Sequence, residues 1–304
     1  MSATTTTAQA GTQAANQPAN QTVTDDLRKW IVEQAEAGCR PDDVLKAMTT
    51  AGWNEEVALE AMEDTLRARL DELGPRKARV ELPPGVPVPH PDHDETKGPL
   101  IDVDGHVVRI LTTMTEPRVV VFGGLLTEAE CDGMVALAAP RLARSETVDN
   151  ATGGSEVNAA RTSEGMFFER GETPLIDQIE RRIAALVRWP LKNGEGLQIL
   201  RYRPGAEYKP HHDYFDPVHP GTARILERGG QRVASLVMYL NTPAGGGATT
   251  FPDVGLQVAP VKGNAVFFSY DKAHVSTKTL HGGAPVTAGE KWVATKWMRE
   301  GEFK

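Results

Sequence analysis

The sequence contains very little cysteine, and this argues against a fold held together by disulfide bonds. Only Cys39 and Cys131 occur among 304 residues, in segments of different character. Disulfides belong to oxidising compartments, so a reducing compartment suits this chain better. The N-terminus lacks the basic-then-apolar pattern of a signal peptide, and no apolar run approaches the length of a membrane span. These absences predict a cytoplasmic protein with no membrane partner.

A surplus of positive charge is also missing. The chain carries 33 Lys and Arg against 41 Asp and Glu, which gives a net charge of -8. Such a balance provides no general field that attracts phosphate, so nucleic acid is not expected as a partner. Hydrophobic residues make up 40% of the chain, enough for one large domain and a second, small one.

Bulky apolar side chains are nearly absent from residues 1–22, which predicts a disordered tail. Residues 23–72 differ, because apolar residues recur there at helical spacing in three successive segments. Pro41 opens the second segment and Asn54 caps the third, so we expect a three-helix bundle. Residues 73–100 are rich in proline, which is typical of a semi-rigid linker.

The function of this bundle stays open between two interpretations. The Ala51-Gly52-Trp53 turn resembles, over a short stretch, the loop of ubiquitin-associated-type three-helix modules. Such a bundle can dock a protein partner through residues 23–72, or it can serve as a helical spacer.

Residues 101–304 form the main predicted domain. Two helical patterns come first, one after the capping box that begins at Thr127 and one after Thr173-Pro174. Short strands bounded by Gly and Pro follow, and an earlier strand is expected at 118–122. The later candidates are 197–203, 232–240, 263–268 and 291–298. This order predicts an α+β fold with a jelly roll and flanking helices, preceded by the small bundle.

A group of possible metal ligands lies directly after the first of these later strands. In an extended segment, His211 and Asp213 point to one face and His212 to the other. One imidazole and one carboxylate make two thirds of the facial triad that suits non-haem Fe(II). Of the later histidines, His281 is the best third ligand, because it ends a strand before a glycine turn.

A lysine on an apolar strand face is the second unusual feature. Alternation places Lys291 beside Val293 and Trp297, and it places Lys296 on the opposite face. A buried ammonium needs an anionic partner, which can be a structural carboxylate or an anionic ligand.

Together these features identify the segment from about 119 to 298 as similar to the prolyl 4-hydroxylase branch of the Fe(II)/2-oxoglutarate dioxygenases. The order and spacing of the blocks agree with that family, including the ten-residue step from His281 to Lys291. Ala248 and Ser235 depart from the family, which usually has Glu and Thr there. The matching blocks are Arg161-Thr-Ser163, Tyr202-x-x-Gly205-x-x-Tyr208-x-x-His211-x-Asp213, Tyr239-Leu-Asn241, Gly246-Gly247-Ala-Thr249-Thr-Phe251-Pro252, Pro260-x-Lys-Gly263, and His281-Gly-Gly-Ala-Pro285-Val286 leading to Gly289-x-Lys291-Trp292.

The resemblance implies a double-stranded β-helix that holds Fe(II) through His211, Asp213 and His281. It implies that 2-oxoglutarate binds the iron and pairs its distal carboxylate with Lys291. Further hydrogen bonds would come from Tyr202 and Thr249. Oxygen would be the second co-substrate, succinate and CO2 the co-products, and ascorbate the reductant that restores oxidised iron.

The resemblance further implies 4-hydroxylation of a prolyl residue in a peptide or protein. The residues expected to line its groove are Arg161, Ser163, Glu195, Tyr208 and Trp297. Rim or core packing is the alternative for each of them. The long segment from Tyr214 to Gln231 is expected to be a mobile lid. Two other functions remain open, namely an oxygenase of a free amino acid or small molecule, and a non-catalytic protein that acts through its bundle.

Overall fold

The computed structural model of the chain describes residues 21–36, 38–77, 82–91, 98–144, 147–148, 155–156 and 162–304. Nearly all of the tail predicted at residues 1–22 lies outside these ranges. The chain divides into two compact units, residues 1–82 and residues 83–304. No helix in the described ranges is both long and apolar enough to cross a membrane.

The first unit is a bundle of three helices around its own small core. Its helices are α1 (Asp25–Glu36), α2 (Pro41–Thr50) and α3 (Glu55–Lys77). As the sequence predicts, Asn54 caps α3, and its side-chain oxygen accepts from the backbone N–H groups of Glu56 and Val57 at 2.9 and 3.3 Å. The buried apolar side chains of this core are Ile31, Val44, Met48, Ala58, Ala61 and Met62.

The second unit combines helices with many short strands. Its helices are α4 (Glu128–Ala138), α5 (Pro174–Leu186) and α6 (Thr222–Leu226). Its strands are β1 (Leu100–Val103), β2 (His106–Met114), β3 (Arg118–Gly123), β4 (Ala143–Arg144), β5 (Thr147–Val148), β6 (Ser155–Glu156), β7 (Glu164–Phe168), β8 (Leu197–Tyr202), β9 (Tyr208–His211), β10 (Arg232–Tyr239), β11 (Gly245–Gly246), β12 (Thr249–Phe251), β13 (Leu256–Val258), β14 (Ala265–Ser269), β15 (His281–Gly283), β16 (Val286–Ala288) and β17 (Lys291–Arg299).

Two antiparallel sheets give this unit the predicted double-stranded β-helix. The larger has nine strands in the order β1-β2-β3-β14-β10-β17-β8-β7-β4, and the smaller has four in the order β13-β12-β15-β9. One buried cluster joins β3, β8, β10, β14 and β17 of the large sheet to Phe251 and Val258 of the small one. A second cluster packs α4 and α5 on the other face of the large sheet. The fold is therefore α+β, with helices on one side and the small sheet on the other.

Strand β17 lies between β10 and β8 and is covered on both faces. All nine of its residues are buried. The predicted alternation is observed, because Trp292 and Ala294 join the cluster on the helical side while Val293 joins the cluster between the sheets. The sequence therefore indicates correctly which side chains of β17 face the interior of the β-helix.

Part of the segment predicted as a linker packs on the second unit. Val86 donates its backbone N–H to the carbonyl of Asp271 at 2.8 Å, and Val86 and Val88 pack against the core on the helical side. Pro89 and Pro91 are buried. The later half of the predicted 73–100 linker thus belongs to this unit. Of the strands of this unit, the sequence predicted β3, β8, β10, β14 and β17 and indicated extended segments at His211 and His281, whereas the other strands were not predicted.

Candidate active site

Three possible metal ligands meet between the two sheets. Pairing of β9 with β15 places His211 directly opposite His281, and Asp213 follows two residues after His211. Asp213 Oδ1 lies 3.4 Å from His211 Nε2, and Asp213 Oδ2 lies 3.4 Å from His281 Nε2. The three ligand atoms all lie within 4.8 Å of one another. A glycine is required beside this pair, because a Cβ on Gly282 would approach the Tyr208 carbonyl oxygen to 2.8 Å.

The hydrogen bonds of the two imidazoles fit a cation at this place. His211 Nδ1 lies 2.9 Å from the Lys209 carbonyl oxygen, and His281 Nδ1 lies 2.9 Å from that of Thr279. A carbonyl oxygen only accepts, so each Nδ1 carries a proton, and Nε2 is the ring nitrogen left to offer a lone pair to a cation. Two lone pairs and a carboxylate therefore converge without a donor between them, an arrangement that a bound metal ion satisfies.

Burial and charge set the protonation of this group. Burial lowers the pKa of His281 to about 4, so its imidazole is neutral at physiological pH. Burial would raise the pKa of the Asp213 carboxyl, but His281 and His211 outweigh it and hold that pKa well below its usual range. The donor set is thus two imidazoles, that of His281 neutral, and one carboxylate, the set that suits non-haem Fe(II).

His212 lies away from this group, as predicted. Its ring packs edge-on against Tyr214, with ring centroids 4.7 Å apart. His211 and Asp213 line the pocket, in agreement with strand alternation.

The pocket beside the three ligands is walled by one face of β17. Lys291, Val293, Thr295 and Trp297 all line it. The remaining lining residues come from β8, β9, β10, β12 and β15, together with the residues that follow β9, and include Tyr202, Tyr208, Thr249 and Gly283. All three residues expected to bind 2-oxoglutarate, Lys291, Tyr202 and Thr249, therefore share one pocket with the three expected metal ligands.

Lys291 lies in this pocket without an acidic partner. Its side chain is buried, and no carboxylate within the described ranges lies within 4.0 Å of its Nζ. The Nζ lies 5.6 and 5.7 Å from the ring centroids of Tyr202 and Tyr239. Burial lowers the pKa of this ammonium to about 8. Of the two explanations left open by the sequence, the structural carboxylate is therefore not observed.

Lys296, on the opposite face of β17, is also buried but is paired. Its Nζ donates to Glu180 Oε1 on α5 and to the carbonyl of Glu195. The two lysines of β17 therefore differ in charge balance, because among the described residues Lys296 has a carboxylate partner and Lys291 has none.

The five residues expected to line a substrate groove have different environments. Tyr208 and Trp297 line the pocket, and the Tyr208 ring stacks on His211 with centroids 3.7 Å apart. Ser163 is only 2% exposed. Arg161 lies outside the described residues.

Glu195, which was expected to line the groove, is buried and is not among the residues that line this pocket. Its carboxylate accepts from Arg232 at 2.7 and 2.9 Å and from Arg299 at 2.6 Å. These two guanidinium groups outweigh burial and lower the pKa of Glu195. Both oxygens of Glu195 thus accept hydrogen bonds from arginine side chains. Glu195 instead holds Arg232, whose guanidinium stacks on the Trp297 ring at 3.9 Å.

Asp213 has support that the sequence did not reveal. The Ser235 hydroxyl donates to Asp213 Oδ2 at 2.5 Å, and Ser235 Oγ lies 3.0 Å from the Tyr270 hydroxyl. Burial raises the pKa of Tyr270 well above its usual value, so its hydroxyl remains protonated. The only signal in the sequence was Ser235 itself, as a departure from the related family.

Comparison with known proteins agrees with this geometry. The profile of the 2OG-Fe(II) oxygenase superfamily matches residues 197–299. Prolyl 4-hydroxylase 5 of Arabidopsis thaliana is 39% identical over 211 residues, which cover 62% of this chain and 70% of the relative. Prolyl 4-hydroxylase 1 of the same plant is 41% identical over 222 residues, which cover 66% and 76%.

Two solved structures are also similar. The viral collagen prolyl hydroxylase of Paramecium Bursaria Chlorella virus-1 is 30% identical with a TM-score of 0.47, covering 60% of this chain and 95% of that one. A Pseudomonas putida prolyl-4-hydroxylase is 22% identical with a TM-score of 0.42, covering 60% and 92%. Membership of the family follows from the two Arabidopsis relatives, because each is matched over more than two thirds of its own length. This chain therefore belongs to the prolyl 4-hydroxylase branch of the 2OG-Fe(II) oxygenase superfamily and is a dioxygenase that uses Fe(II) and 2-oxoglutarate.

Proposed function

We propose that this enzyme hydroxylates a prolyl residue, at its 4-position, in a peptide or protein. The observation that carries the proposal is the single pocket in which the three converging ligands and an ammonium without an acidic partner lie together. The names of the sequence relatives supply the substrate class. Succinate and CO2 are the co-products, and ascorbate is the reductant that keeps the iron in its ferrous state.

Each pocket residue has a distinct task in this proposal. His211, Asp213 and His281 hold Fe(II), which with 2-oxoglutarate and O2 supplies the oxidation of a C–H bond. Lys291 binds the distal carboxylate of 2-oxoglutarate and so acquires the anion that a buried ammonium requires. Tyr202 and Thr249 complete that end of the site. The Tyr239 hydroxyl donates to Thr249 Oγ1 at 2.8 Å, which fixes the orientation of the threonine.

Aromatic side chains provide the surface for the proline ring. Tyr208 stacks on His211, so a proline that packs against Tyr208 lies next to a metal ligand. Trp297 is held in place by Arg232, whose guanidinium lies 3.9 Å from the ring centroid. A prolyl peptide loses little entropy on binding, because its polyproline II conformation is already formed. Arg161 and Ser163 remain proposed contacts for this peptide.

Incubation of the enzyme with Fe(II), O2, 2-oxoglutarate and ascorbate tests the proposal. The substrates are a proline-rich peptide, the same peptide with alanine in place of proline, and free proline. We expect the first peptide alone to gain one oxygen atom by mass spectrometry, with one succinate formed per hydroxylation. Fragmentation and amino-acid analysis then identify 4-hydroxyproline. Oxidation of free proline without oxidation of the peptide would favour the small-molecule oxygenase instead.

We propose that the three-helix bundle, residues 23–72, docks a protein partner or protein substrate. Its support is a closed core that needs no other part of the chain. The test compares residues 83–304 with the whole chain. Turnover of a short peptide should be equal for both, whereas a protein substrate bound through the bundle should show a raised KM with the shorter chain.

A further inference from the structure

Three buried oxygen atoms form a line that ends on the carboxylate between the two histidines. The Tyr270 hydroxyl lies 3.0 Å from Ser235 Oγ, which lies 2.5 Å from Asp213 Oδ2. The exposed fractions of Tyr270, Ser235 and Asp213 are 2%, 0% and 7%, so water does not compete for these hydrogen bonds.

The direction of both hydrogen bonds follows from the number of protons. A carboxylate only accepts, so the single hydroxyl proton of Ser235 is donated to Asp213. Ser235 then has only lone pairs to offer to Tyr270. The Tyr270 hydroxyl is therefore the donor, and both protons point toward Asp213.

Tyr270 is the member of this line whose position is best determined. It directly follows β14, its backbone N–H donates to the Val233 carbonyl at 2.9 Å, and its ring packs against Phe268 and Tyr214 with centroids 6.2 and 6.1 Å away. The hydroxyl of Ser235 is less constrained in its direction, because an unbranched side chain can occupy three staggered χ1 rotamers. The hydroxyl of Tyr270 selects the rotamer that points at Asp213.

We propose that Tyr270, acting through Ser235, is a positioning residue that fixes how Asp213 presents its carboxylate to the metal ion. Ser235 engages Oδ2, which leaves Oδ1 as the oxygen without a hydroxyl partner, 3.4 Å from His211 Nε2. A carboxylate held in this way supplies one oxygen rather than two, and it leaves more positions for co-substrate and O2. This inference rests on the proposed assignment of Asp213 as a metal ligand.

Equilibrium titration of the full-length chain with Co(II) tests the inference without turnover. Ser235→Ala should raise the Kd for Co(II) roughly ten- to hundredfold, the usual effect of losing a group that supports a metal ligand. Tyr270→Phe keeps the ring and removes one neutral hydrogen bond, so the Kd should rise about fivefold. The double variant should bind as Ser235→Ala does, because without the serine hydroxyl Tyr270 has nothing to orient.

Ser235→Thr provides the rescue, and Tyr214→Phe provides the control. A threonine hydroxyl is restricted by its β-branch, so Tyr270→Phe should cost less in the threonine background than in the serine background. Tyr214→Phe removes a hydroxyl from the neighbouring ring and should leave the Kd unchanged. The visible spectrum of bound Co(II) should change in Ser235→Ala and remain unchanged in Tyr214→Phe.

Three results would overturn the inference. These are an unchanged Kd in folded Tyr270→Phe, effects of the two substitutions that multiply in the double variant, and equal loss in the threonine and serine backgrounds. If Tyr270→Phe does not fold, equal Kd values for Ser235→Ala and Ser235→Thr would overturn it as well. Failure of the unaltered chain to bind Co(II) would instead remove the proposed metal site.

Discussion

At the scale of single residues, the charge of Lys291 explains most about ligand selection. An ammonium in a nearly dry pocket has lost the water that stabilised it, and no carboxylate of the described chain replaces that water. A dianionic co-substrate can balance the charge from outside. In the unliganded protein the buried ammonium is destabilised by its lost hydration. Binding of the co-substrate carboxylate removes this destabilisation and so favours tight binding.

Replacing Lys291 tests its role directly. Lys291→Ala should raise the KM for 2-oxoglutarate roughly ten- to hundredfold, since a charge-assisted contact in a partly dry site contributes about 1.5–3 kcal/mol. Lys291→Arg should recover part of the loss, because it keeps the charge but is bulkier. Succinate formation measured against 2-oxoglutarate concentration gives both values.

The control for Lys291 has to be a lysine at the surface. Lys296 is unsuitable despite lying on the opposite face of β17, because its loss would leave the buried Glu180 carboxylate without the cation that balances its charge. Lys262, paired with Asp132 at 2.6 Å near the surface, is the better choice. An unchanged KM in folded Lys291→Ala would contradict the charge pairing.

The lowered pKa of Lys291 predicts a pH dependence. The Lys291 side chain carries a positive charge below about pH 8 and loses its proton as the pH rises through that value. Because the charged form binds the carboxylate, the KM for 2-oxoglutarate should be constant below pH 8. Above it, the KM should rise, approaching about tenfold per pH unit. Lys291→Arg should show no such rise between pH 8 and 10, since arginine stays charged. A parallel rise in both proteins would assign the effect to another group.

The two adjacent histidines should differ sharply in function. His211→Ala should abolish Fe(II)-dependent succinate formation and leave the fold intact. His212→Ala should keep activity within about threefold, because strand alternation turns its ring away from the pocket. Equal loss in both folded variants would show that the register of β9 is wrong.

At the scale of elements, the segment from Tyr214 to Gln231, which its length predicts to be a mobile lid, is held by hydrogen bonds at both of its ends. The Gln231 side chain accepts from the Phe215 N–H at 2.8 Å and donates to the Phe215 carbonyl at 2.7 Å. Arg299 donates to the Gly230 carbonyl at 2.7 Å. These bonds close the base of the segment, and α6 lies within it. Movement over a substrate is therefore confined to residues between Phe215 and Gln231.

Gln231→Ala should separate the two ends of the segment from Tyr214 to Gln231, because it removes the side chain that links Gln231 to Phe215. Loss of the two hydrogen bonds to Phe215 should speed amide exchange across residues 216–230 by roughly tenfold or more. The KM for a peptide substrate should rise, whereas the KM for 2-oxoglutarate should not change. Gln257→Ala, at an exposed position of β13, is the matched control. Exchange as slow as in the parent would show that other contacts hold the segment.

Sequence and structure agree best where the relevant contacts are local. Alternation along β17 was sufficient to place Lys291 and Trp297 on the pocket face, and the spacing of His211 and Asp213 was sufficient to bring them together. The surroundings of Glu195 were not predicted, because they are set by Arg232 and Arg299, which are distant from it in sequence. No local pattern reports such a pairing.

At the scale of the whole molecule, the second unit begins earlier than the sequence predicts. Val86 and Val88 pack on its core, and Pro89 and Pro91 are buried. A chain that begins at Ile101 lacks these residues and also the first residue of β1. The proline content of this stretch indicated a linker, but a proline-rich segment can also pack in a fixed extended conformation against a domain.

Two truncated chains test this boundary. Residues 83–304 should fold and turn over 2-oxoglutarate, whereas residues 101–304 should be less stable by roughly 3 kcal/mol because partly buried apolar side chains are lost. Such a loss lowers the Tm by about 6–12 °C in a domain of this size. Equal Tm values for the two chains would show that residues 83–100 do not contribute to stability.

The central position of β17 has a consequence for biosynthesis. This strand inserts between β10 and β8, yet the ribosome makes it after both of them. Until then the nascent polypeptide exposes two unpaired strand edges and an open apolar interior, the features that chaperones recognise. His211, Asp213 and His281 all precede β17 in the chain, whereas Lys291 is its first residue. We therefore expect the pocket to be complete only after β17 has closed the large sheet, and a chain cut short before β17 would be an aggregation-prone fragment rather than a weakened enzyme.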